Sequence, residues 1–368
     1  MADTIHYELS RNQRRILDLI RHQGPISRAE LAVETGLTAG AVTRHIKELL
    51  QLSLVMEGAR RSGMRGQPAL PISIRPDAAH SIGVSFSLHE IEAVALDFCG
   101  NEITRVSEEF DCRTAEGLAF QCAALVTRLE KASRLGSGRI LGVGVALPGS
   151  FISDNMPVTM NAIDVLSLFS DIDPDVFGMA FQCETWVEKS SSTAALAEYY
   201  DRTEARPRDL ILVNIGYDFS AGYIVGGHLF RGRHSNAGDI GRFCPQGTSC
   251  PSMLDLVNDL NRAGRSVQTR KELRERIAAS DPVVGTWVSR TGEQISHAIS
   301  MLDSALAPEE IVLGGMLPEG LLAELLLEVR KRSYMFNQPM VSLRASRFGS
   351  CASAVGAAYL PIHQTCSP

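Results

Sequence analysis

The sequence predicts an α/β protein in which a small helical N-terminal module precedes a body of two similar lobes. Three observations favour this fold class. The chain of 368 residues is longer than one ordinary domain. Residues 1–75 carry a series of helix start and stop signals. After them, one order of strands and helix occurs twice.

Charge separates the module from the body. Residues 1–75 hold 11 Lys and Arg against 7 Asp and Glu, whereas the remainder holds 25 against 35. In a chain of net charge −6, a basic module on an acidic body indicates a polyanionic partner for the module alone. No apolar run reaches the length of a membrane span and the N-terminus has no secretory pattern, so we expect a cytoplasmic protein. The eight scattered cysteines are expected to be reduced, mostly buried thiols.

Three helices are predicted in the module. Apolar residues on one face place the first helix over residues 12–24. Ser27 and Glu30 form a capping box for a short second helix that ends at Gly36. Thr38 is the expected N-cap of the third helix. The buried stripe of this third helix consists of Val42, Ile46, Leu49 and Leu50.

The third helix and the segment after it have the features of a DNA-binding surface. Two helices joined by a tight turn, the second with small, hydroxyl and basic residues exposed, form a helix-turn-helix. A strand, a basic Gly-rich tip and a second strand follow, as in a winged helix whose tip enters a minor groove. The alternative is a small helical protein-interaction domain with solvated charges, but the order of these elements favours DNA. We predict DNA contacts by Ala39, Gly40, Thr43, Arg44 and Lys47 on the helix and by Arg60, Arg61, Arg65 and Gln67 on the wing.

The body repeats one pattern. From about residue 80 it reads as three strands with tight turns, a helix, and a buried strand that ends in a Pro-Gly loop. From Asp209 the same order restarts and ends in Gly314-Gly315. The duplication predicts two α/β lobes with a cleft between them, and the first turn of each half faces that cleft. We predict domains at 1–75, at 76–195 completed by about 345–368, and at 196–344.

Several segments together resemble the ROK family (repressors, open reading frames and sugar kinases) of the actin-like ATPase superfamily. The resemblance covers the chain from about residue 12. It implies a two-lobed actin-like, ribonuclease H-like body behind the winged helix-turn-helix. It rests on "RGQPAL", "SIGV", "GVGVALPG", "TAALAE", "NAGDIGRF" and "IVLGGML".

The positions that carry kinase chemistry in this family are altered here. The resemblance places the general base for the sugar hydroxyl at Ser190, where a hydroxyl cannot replace a carboxylate. The first phosphate loop corresponds to the segment from Ser85, without its acidic residue and glycines. The second corresponds to the segment from Gly216, where Asp218 would repel phosphate. We therefore expect no catalytic residue.

The family's zinc site is also incomplete. Its His corresponds to Arg242, which does not ligate metal, and of its cysteines only Cys244 and Cys250 remain. Two thiolates do not close a tetrahedral site. We expect neither a metal nor another cofactor.

An intact DNA-binding module on an altered kinase body predicts a transcriptional regulator, and a repressor above all. The expected partners are a double-stranded DNA operator, further copies of the chain in a homodimer or homotetramer, and a sugar, sugar acid or sugar phosphate as effector. The new cations in the cleft give a modest preference for an anionic effector. The resemblance to the family's sugar site implies effector contacts at Asn161, Ser190, Asp239 and Arg242, and Lys189 is a further expected contact as a new cation in the same cleft.

Three alternatives stay open at this point. Lys189 could pair with Glu188 or a surface carboxylate, and Arg242 with Asp239, which would close the cleft upon itself. The regulator could keep residual ATP-dependent sugar kinase activity. It could also be an architectural DNA-binding protein that responds to no ligand.

Overall fold

The computed structural model describes most of the chain. It covers residues 4–59, 70–87, 90–110, 112, 114–132, 139–149, 173–200, 207–235, 237–244, 249–335 and 341–368. Within these ranges, no helix is long and apolar enough to cross a membrane. Some of the predicted site residues lie outside the described residues: Arg60, Arg61, Arg65 and Gln67 of the wing, and Asn161 of the body.

The N-terminal module contains the predicted helix-turn-helix and the two strands of the wing. Helices α1 (Arg11–Gln23), α2 (Arg28–Thr35) and α3 (Ala39–Gln51) follow one another through short turns. Strands β1 (Val55–Glu57) and β2 (Ile72–Ile74) pair antiparallel. The element order inferred from the sequence is therefore confirmed.

Local capping sets the ends of α2 and the start of α3 as predicted. Ser27 and Glu30 exchange the two hydrogen bonds of a capping box. Gly36 ends α2 in the left-handed region, with φ of 66°. The Thr38 side chain accepts a hydrogen bond from the backbone of Ala41 and starts α3.

Two details of the module differ from the prediction. A further capping box between Ser10 and Gln13 starts α1 at Arg11, one residue earlier than expected. On α3, Leu50 is only half-buried, and His45 is buried in the stripe instead. The imidazole is tolerated there because it has a carboxylate partner, described below.

The first lobe is a mixed sheet covered by helices. Its elements are β3 (His80–Ser87), β4 (Glu90–Asp97), β5 (Glu102–Glu109), α4 (Ala115–Ala132), β6 (Ile140–Leu147), α5 (Asp175–Phe181) and β7 (Thr185–Lys189). The strand order is β5-β4-β3-β6-β7, with β3 antiparallel to β4 and parallel to β6. Helix α4 packs against β4, β5 and α5 on one face of this sheet.

The second lobe repeats this topology. Its elements, with the helix that enters it and the helix that ends the chain, are α6 (Ser190–Tyr200), β8 (Leu210–Ile215), β9 (Phe219–Val225), β10 (His228–Phe230), α7 (Met253–Arg262), α8 (Arg270–Ala278), α9 (Pro282–Leu306), β11 (Glu310–Gly315), α10 (Glu319–Met335), β12 (Ser342–Ala345) and α11 (Ala352–Cys366). The strand order is β10-β9-β8-β11-β12, with the first three strands antiparallel and β8, β11 and β12 parallel. The duplication read from the sequence is thus present in the fold.

Helices α6 and α11 join the two lobes. Helix α11 packs against β3 and β6 of the first lobe, α6 packs against β8 and β9 of the second, and the two helices pack against each other. A Cβ added at Gly144 would lie 1.9 Å from the carbonyl oxygen of Ala357, and one added at Gly356 would lie 1.6 Å from that of Thr193. Glycine is required at both positions because backbone meets backbone there.

Candidate functional site

The exposed face of α3 is the candidate DNA-binding surface. The Arg44 side chain is 69% exposed. The hydroxyl of Thr43 donates to the carbonyl of Ala39 at 2.8 Å, which fixes its rotamer on the helix surface. Small residues permit close approach to a groove, and the basic side chains can reach base edges or phosphates. All five helix residues predicted to contact DNA are exposed: Ala39, Gly40, Thr43, Arg44 and Lys47.

Glu48 holds α3 in place through contacts beside the exposed face, a role that was not predicted from the sequence. Its carboxylate accepts a hydrogen bond from Nε2 of Gln13 on α1 at 3.0 Å and lies 3.2 Å from Nδ1 of the buried His45. Nε of Arg44 is 4.0 Å from the other carboxylate oxygen. Glu48 thereby ties α3 to α1 and borders Arg44 on one side. The i, i+4 spacing of Arg44 and Glu48 is the sequence signal that could have identified it.

The base of the wing is held against the helices. The backbone N–H of Gly58 donates to the carbonyl of Pro71 at 2.8 Å, which extends the pairing of β1 with β2 by one step. The Arg28 guanidinium on α2 pairs with the carboxylate of Glu57 on β1. These contacts keep the two ends of the wing together beside the helix-turn-helix.

The junction of β7 and α6 lies where the altered kinase base was predicted. Strand β7 ends at Lys189 and α6 begins at Ser190, which is buried. The backbone carbonyl of Ser190 accepts hydrogen bonds from Oγ1 of Thr193 at 2.9 Å and from Oγ of Ser353 at 3.1 Å. A serine hydroxyl does not accept a substrate proton near neutral pH, so this position lacks the group that sugar phosphorylation needs.

Two contacts cross between the lobes at this junction. Nζ of Lys189 donates to the carbonyl of Ala237 at 2.5 Å, and Nε of Arg231 donates to Oε2 of Glu188 at 2.5 Å. Glu188 and Lys189 end a strand of the first lobe, whereas residues 231 and 237 follow β10 in the second. The alternative in which the ammonium of Lys189 pairs with Glu188 is therefore not the arrangement seen, because Arg231 takes that carboxylate.

Burial and charge act against each other around Lys189. Burial lowers the pKa of Lys189, while the carboxylates of Asp218, Asp239 and Glu188 act to raise it. Burial raises the pKa of the half-buried Asp218, whose Oδ1 accepts a hydrogen bond from Oγ of Ser220 at 3.2 Å. The structure thus brings Lys189, Ser190 and Asp239 into one neighbourhood. Its described charges are the cations Lys189, Arg231 and Arg242 and the anions Glu188, Asp218 and Asp239.

Arg242 lies at the rim of this neighbourhood. Its Nε pairs with Oδ2 of Asp239 at 2.7 Å, which is the self-paired arrangement considered from the sequence. The Arg242 side chain nevertheless remains 72% exposed. Because a guanidinium carries five donors, the solvent-facing ones are available to a ligand even with this pair intact.

The two segments that correspond to phosphate loops are engaged in the fold itself. Ser85 lies within β3, in register with Glu92 of β4. In the β8–β9 turn, the N–H of Gly216 donates to the carbonyl of Asp218 at 3.1 Å. A carboxylate at the tip of this turn opposes the binding of a second anion there.

One prediction about the cysteines is wrong. Cys244 and Cys250 form a disulfide with Cα atoms 5.8 Å apart, whereas reduced thiols were expected throughout. The two cysteines are six positions apart in the chain. Among the described residues, no group of three or more His, Cys, Asp or Glu is arranged to hold a metal ion.

Two family models match separate parts of the chain. The model of the ROK family matches residues 82–364, and a model of winged helix-turn-helix DNA-binding domains matches residues 9–55. An uncharacterised protein, y4fQ of Sinorhizobium fredii, is 30% identical over 96% of this chain and 91% of its own length. The N-acetylglucosamine repressor of Escherichia coli O6:H1 is 22% identical over 84% of this chain and 81% of its own length.

Solved structures share the fold. A ROK family transcriptional regulator described as a homologue of the E. coli MLC protein superposes with a TM-score of 0.68 at 19% identity, over 97% of this chain and 96% of its own. A ROK family glucokinase from Streptomyces griseus, solved with glucose and AMPPNP, superposes with a TM-score of 0.61 at 22% identity. It covers 77% of this chain and 99% of its own. The body therefore has the predicted actin-like fold shared by regulators and kinases.

Proposed function

The chain belongs to the ROK family, and from this premise we propose that it is a DNA-binding transcriptional repressor that responds to a sugar-type effector. The observation that carries the proposal is the contrast between the DNA-binding module and the former catalytic position of the body. The five residues of α3 predicted to contact DNA are exposed, whereas Ser190 stands where the resemblance places the kinase base. Such a regulator acts on the chromosome, so we also propose that it is cytoplasmic.

The relatives support this direction. The E. coli relative is named a repressor, and the structure that matches along nearly the whole chain belongs to a transcriptional regulator. The glucokinase covers a smaller share of the chain, 77%. Residual kinase activity is the less supported alternative, because neither Ser190 nor the turn with Asp218 supplies what phosphoryl transfer requires.

DNA binding is proposed to involve a two-fold symmetric operator. One winged helix reads few base pairs, so two modules from a homodimer, or two of the four in a homotetramer, are needed for specificity. Arg44 and Thr43 would contact base edges, while Arg65 and Gln67 would enter a flanking minor groove. The ligand for these tests is the operator selected by the protein from random duplexes.

Substitution of one recognition residue tests the interface. Arg44→Ala should weaken binding to the selected operator by about 1–3 kcal/mol. Arg128→Ala is the matched control, since Arg128 lies on α4 of the body and is 53% exposed. Equal loss in both variants, or selective binding by a chain that lacks residues 1–75, would contradict the proposal.

The effector is proposed to bind between the lobes at Lys189, Ser190, Asp239 and Arg242, together with Asn161. An ammonium, a hydroxyl, a carboxylate and a guanidinium all bind sugar hydroxyls. The exposed face of Arg242 favours an acidic sugar, although the balanced charges around Lys189 limit that preference. Effector binding would shift the lobes and thereby change the spacing of two DNA-binding modules.

Calorimetry with neutral sugars, sugar acids and sugar phosphates tests the pocket. Arg242→Ala should weaken the binding of acidic ligands at least about tenfold, as expected for a lost charge-assisted contact. Arg262→Ala is the control, because Arg262 makes the same i, i+3 pair with Asp259 and is 75% exposed, but lies on α7. Unchanged affinity in Arg242→Ala would remove this residue from the site, and tighter binding of neutral sugars would refute the anionic preference.

A further inference from the structure

Arg21, near the end of α1, makes polar contacts between the DNA-binding module and the body. It is buried, with 3% of its surface exposed. Its Nη1 donates to the carbonyl of Phe98 at 2.6 Å and its Nη2 lies 3.6 Å from Sγ of Cys366. The guanidinium lies over the Phe98 ring, 5.0 Å from the centroid. We name this contact of Arg21, Phe98 and Cys366 the module joint.

A buried guanidinium needs its partners in fixed positions. Both acceptors are neutral, so loss of either leaves N–H groups of a buried charge without a hydrogen-bond partner, which is costly. Phe98 follows β4 of the first lobe, and Cys366 is the last residue of α11. A second arginine of α1 adds to the joint, because Nη1 of Arg14 donates to the carbonyl of Gln364 at 2.7 Å.

Apolar packing continues across the same contact. The core of the module, with Ile16 and Leu49, belongs to one cluster of buried residues with Leu196 of α6 and Leu360 of α11. Ahead of α1, the N–H of Ile5 donates to the carbonyl of Ile140 on β6 at 2.8 Å. The module is thus docked on the body, in contrast to a domain on a loose linker.

The last turns of α6 and α11 meet at this place. The rings of Tyr200 and Tyr359 stack with centroids 4.7 Å apart, and a hydrogen bond of 2.7 Å joins the Tyr200 hydroxyl to Nδ1 of His363. The ring of Tyr199 packs edge-on against that of His22 on α1, with centroids 6.0 Å apart. The C-terminal ends of both lobe-joining helices therefore contact the DNA-binding module.

The opposite ends of these helices lie at the cleft. Helix α6 starts at Ser190, and Ser353 near the start of α11 donates its hydroxyl to the Ser190 carbonyl. At a rise of about 1.5 Å per residue, the 11 residues of α6 span about 16 Å from the cleft to the joint. The pair is a rigid connection because Gly356 lets the two backbones touch.

We propose that the module joint at Arg21 fixes the orientation of the DNA-binding module on the ends of α6 and α11, so that the body selects the half-site spacing of the operator. This inference deepens the proposed function at its DNA-binding surface, and only its operator measurement rests on that function. With the joint intact, two modules of an oligomer present their α3 helices at one separation. Without it, each module turns on its own.

The first test uses the full-length protein without DNA. Spin labels are placed by unnatural amino acids at exposed Glu34 on α2 and exposed Glu324 on α10, because the chain has free thiols of its own. Labelled chain is diluted with unlabelled chain, so that distances within one chain are measured. Arg21→Met removes the donors and keeps an apolar side chain in the buried position. Arg15→Met, at an exposed position on the same helix, is the control.

The expected result is one narrow distance population in the wild type and in Arg15→Met, and a distribution at least about twice as broad in Arg21→Met. Equal widths in all three proteins would overturn the proposal. Should Arg21→Met fail to fold, Arg21→Lys decides, because a lysine keeps the charge without the fork that reaches both Phe98 and Cys366. Broadening in Arg21→Lys supports the joint, and wild-type width overturns it.

The second test uses the selected operator and a copy lengthened by half a helical turn between its half-sites. The wild type should bind the lengthened operator at least about tenfold more weakly, since its half-sites now face opposite sides of the duplex. Arg21→Met should bind both duplexes within about threefold of each other, at an affinity that still depends on Arg44. If Arg21→Met keeps the wild-type preference for the original operator over the lengthened one, the inference is overturned. If no protein binds DNA selectively, the proposed function is refuted, but the distance measurement still tests the module joint.

Discussion

A single methyl group added at Gly356 tests how tightly α6 and α11 must pack. In Gly356→Ala the new Cβ would lie 1.6 Å from the carbonyl oxygen of Thr193 and 2.3 Å from its carbon. Ordinary contact begins at 3.4 Å, so the two helices have to separate by about 1.8 Å. Overpacking of a core costs about 1–3 kcal/mol, and here both surfaces are backbone that no rotamer change can move.

The expected net loss is about 2–2.5 kcal/mol, which is the upper end of that cost less the about 0.5–1 kcal/mol that alanine gains over glycine within a helix. Thermal unfolding should show this as a fall of about 4–10 °C in Tm. Gly285→Ala is the matched control, since Gly285 lies in α9 and an added Cβ there has no neighbour within 4 Å. Its Tm should stay or rise slightly. A Tm of Gly356→Ala equal to that of wild type or control would refute the close packing of the two helices.

The remaining predictions concern acid stability, thiols and catalysis. Burial lowers the pKa of His80 from 6.5 to about 4, so the unfolded chain takes up a proton first as pH falls, and stability drops by about 3 kcal/mol between pH 6.5 and 4. The free energy of unfolding, measured in urea at pH 7 and pH 4.5, should depend less on pH in His80→Gln than in the wild type. An equal difference between the two pH values in both proteins would count against a neutral buried imidazole. Thiol titration of the denatured protein should find six free thiols before reduction and eight after it, because Cys244 and Cys250 are joined, whereas eight from the outset would exclude the disulfide. A coupled ADP assay with a panel of sugars should give no turnover above a Ser190→Ala control. ADP formation that Ser190→Ala abolishes would restore the kinase alternative. Elemental analysis should find less than one zinc per chain.

The sequence by itself determined the DNA-binding module and the repeated topology of the body. Capping residues, glycine stops and apolar periodicity act within one or two helical turns, so Ser27, Glu30 and Thr38 set their helices wherever the chain goes afterwards. The succession of strands along each half follows from alternation and tight turns, which are equally local. Once the family resemblance places the kinase base at Ser190, its loss follows from the residue type, because a serine hydroxyl cannot act as that base.

Only the tertiary structure decided which distant groups became partners. The sequence placed Lys189 beside Glu188, but the fold brought Arg231 to that carboxylate and the Ala237 carbonyl to the ammonium. Arg21 and Cys366 are separated by 345 positions, and nothing in their local patterns marks either as a contact. Such contacts depend on how the two lobes and the module pack together. That packing results from the whole buried surface, so no short segment encodes it.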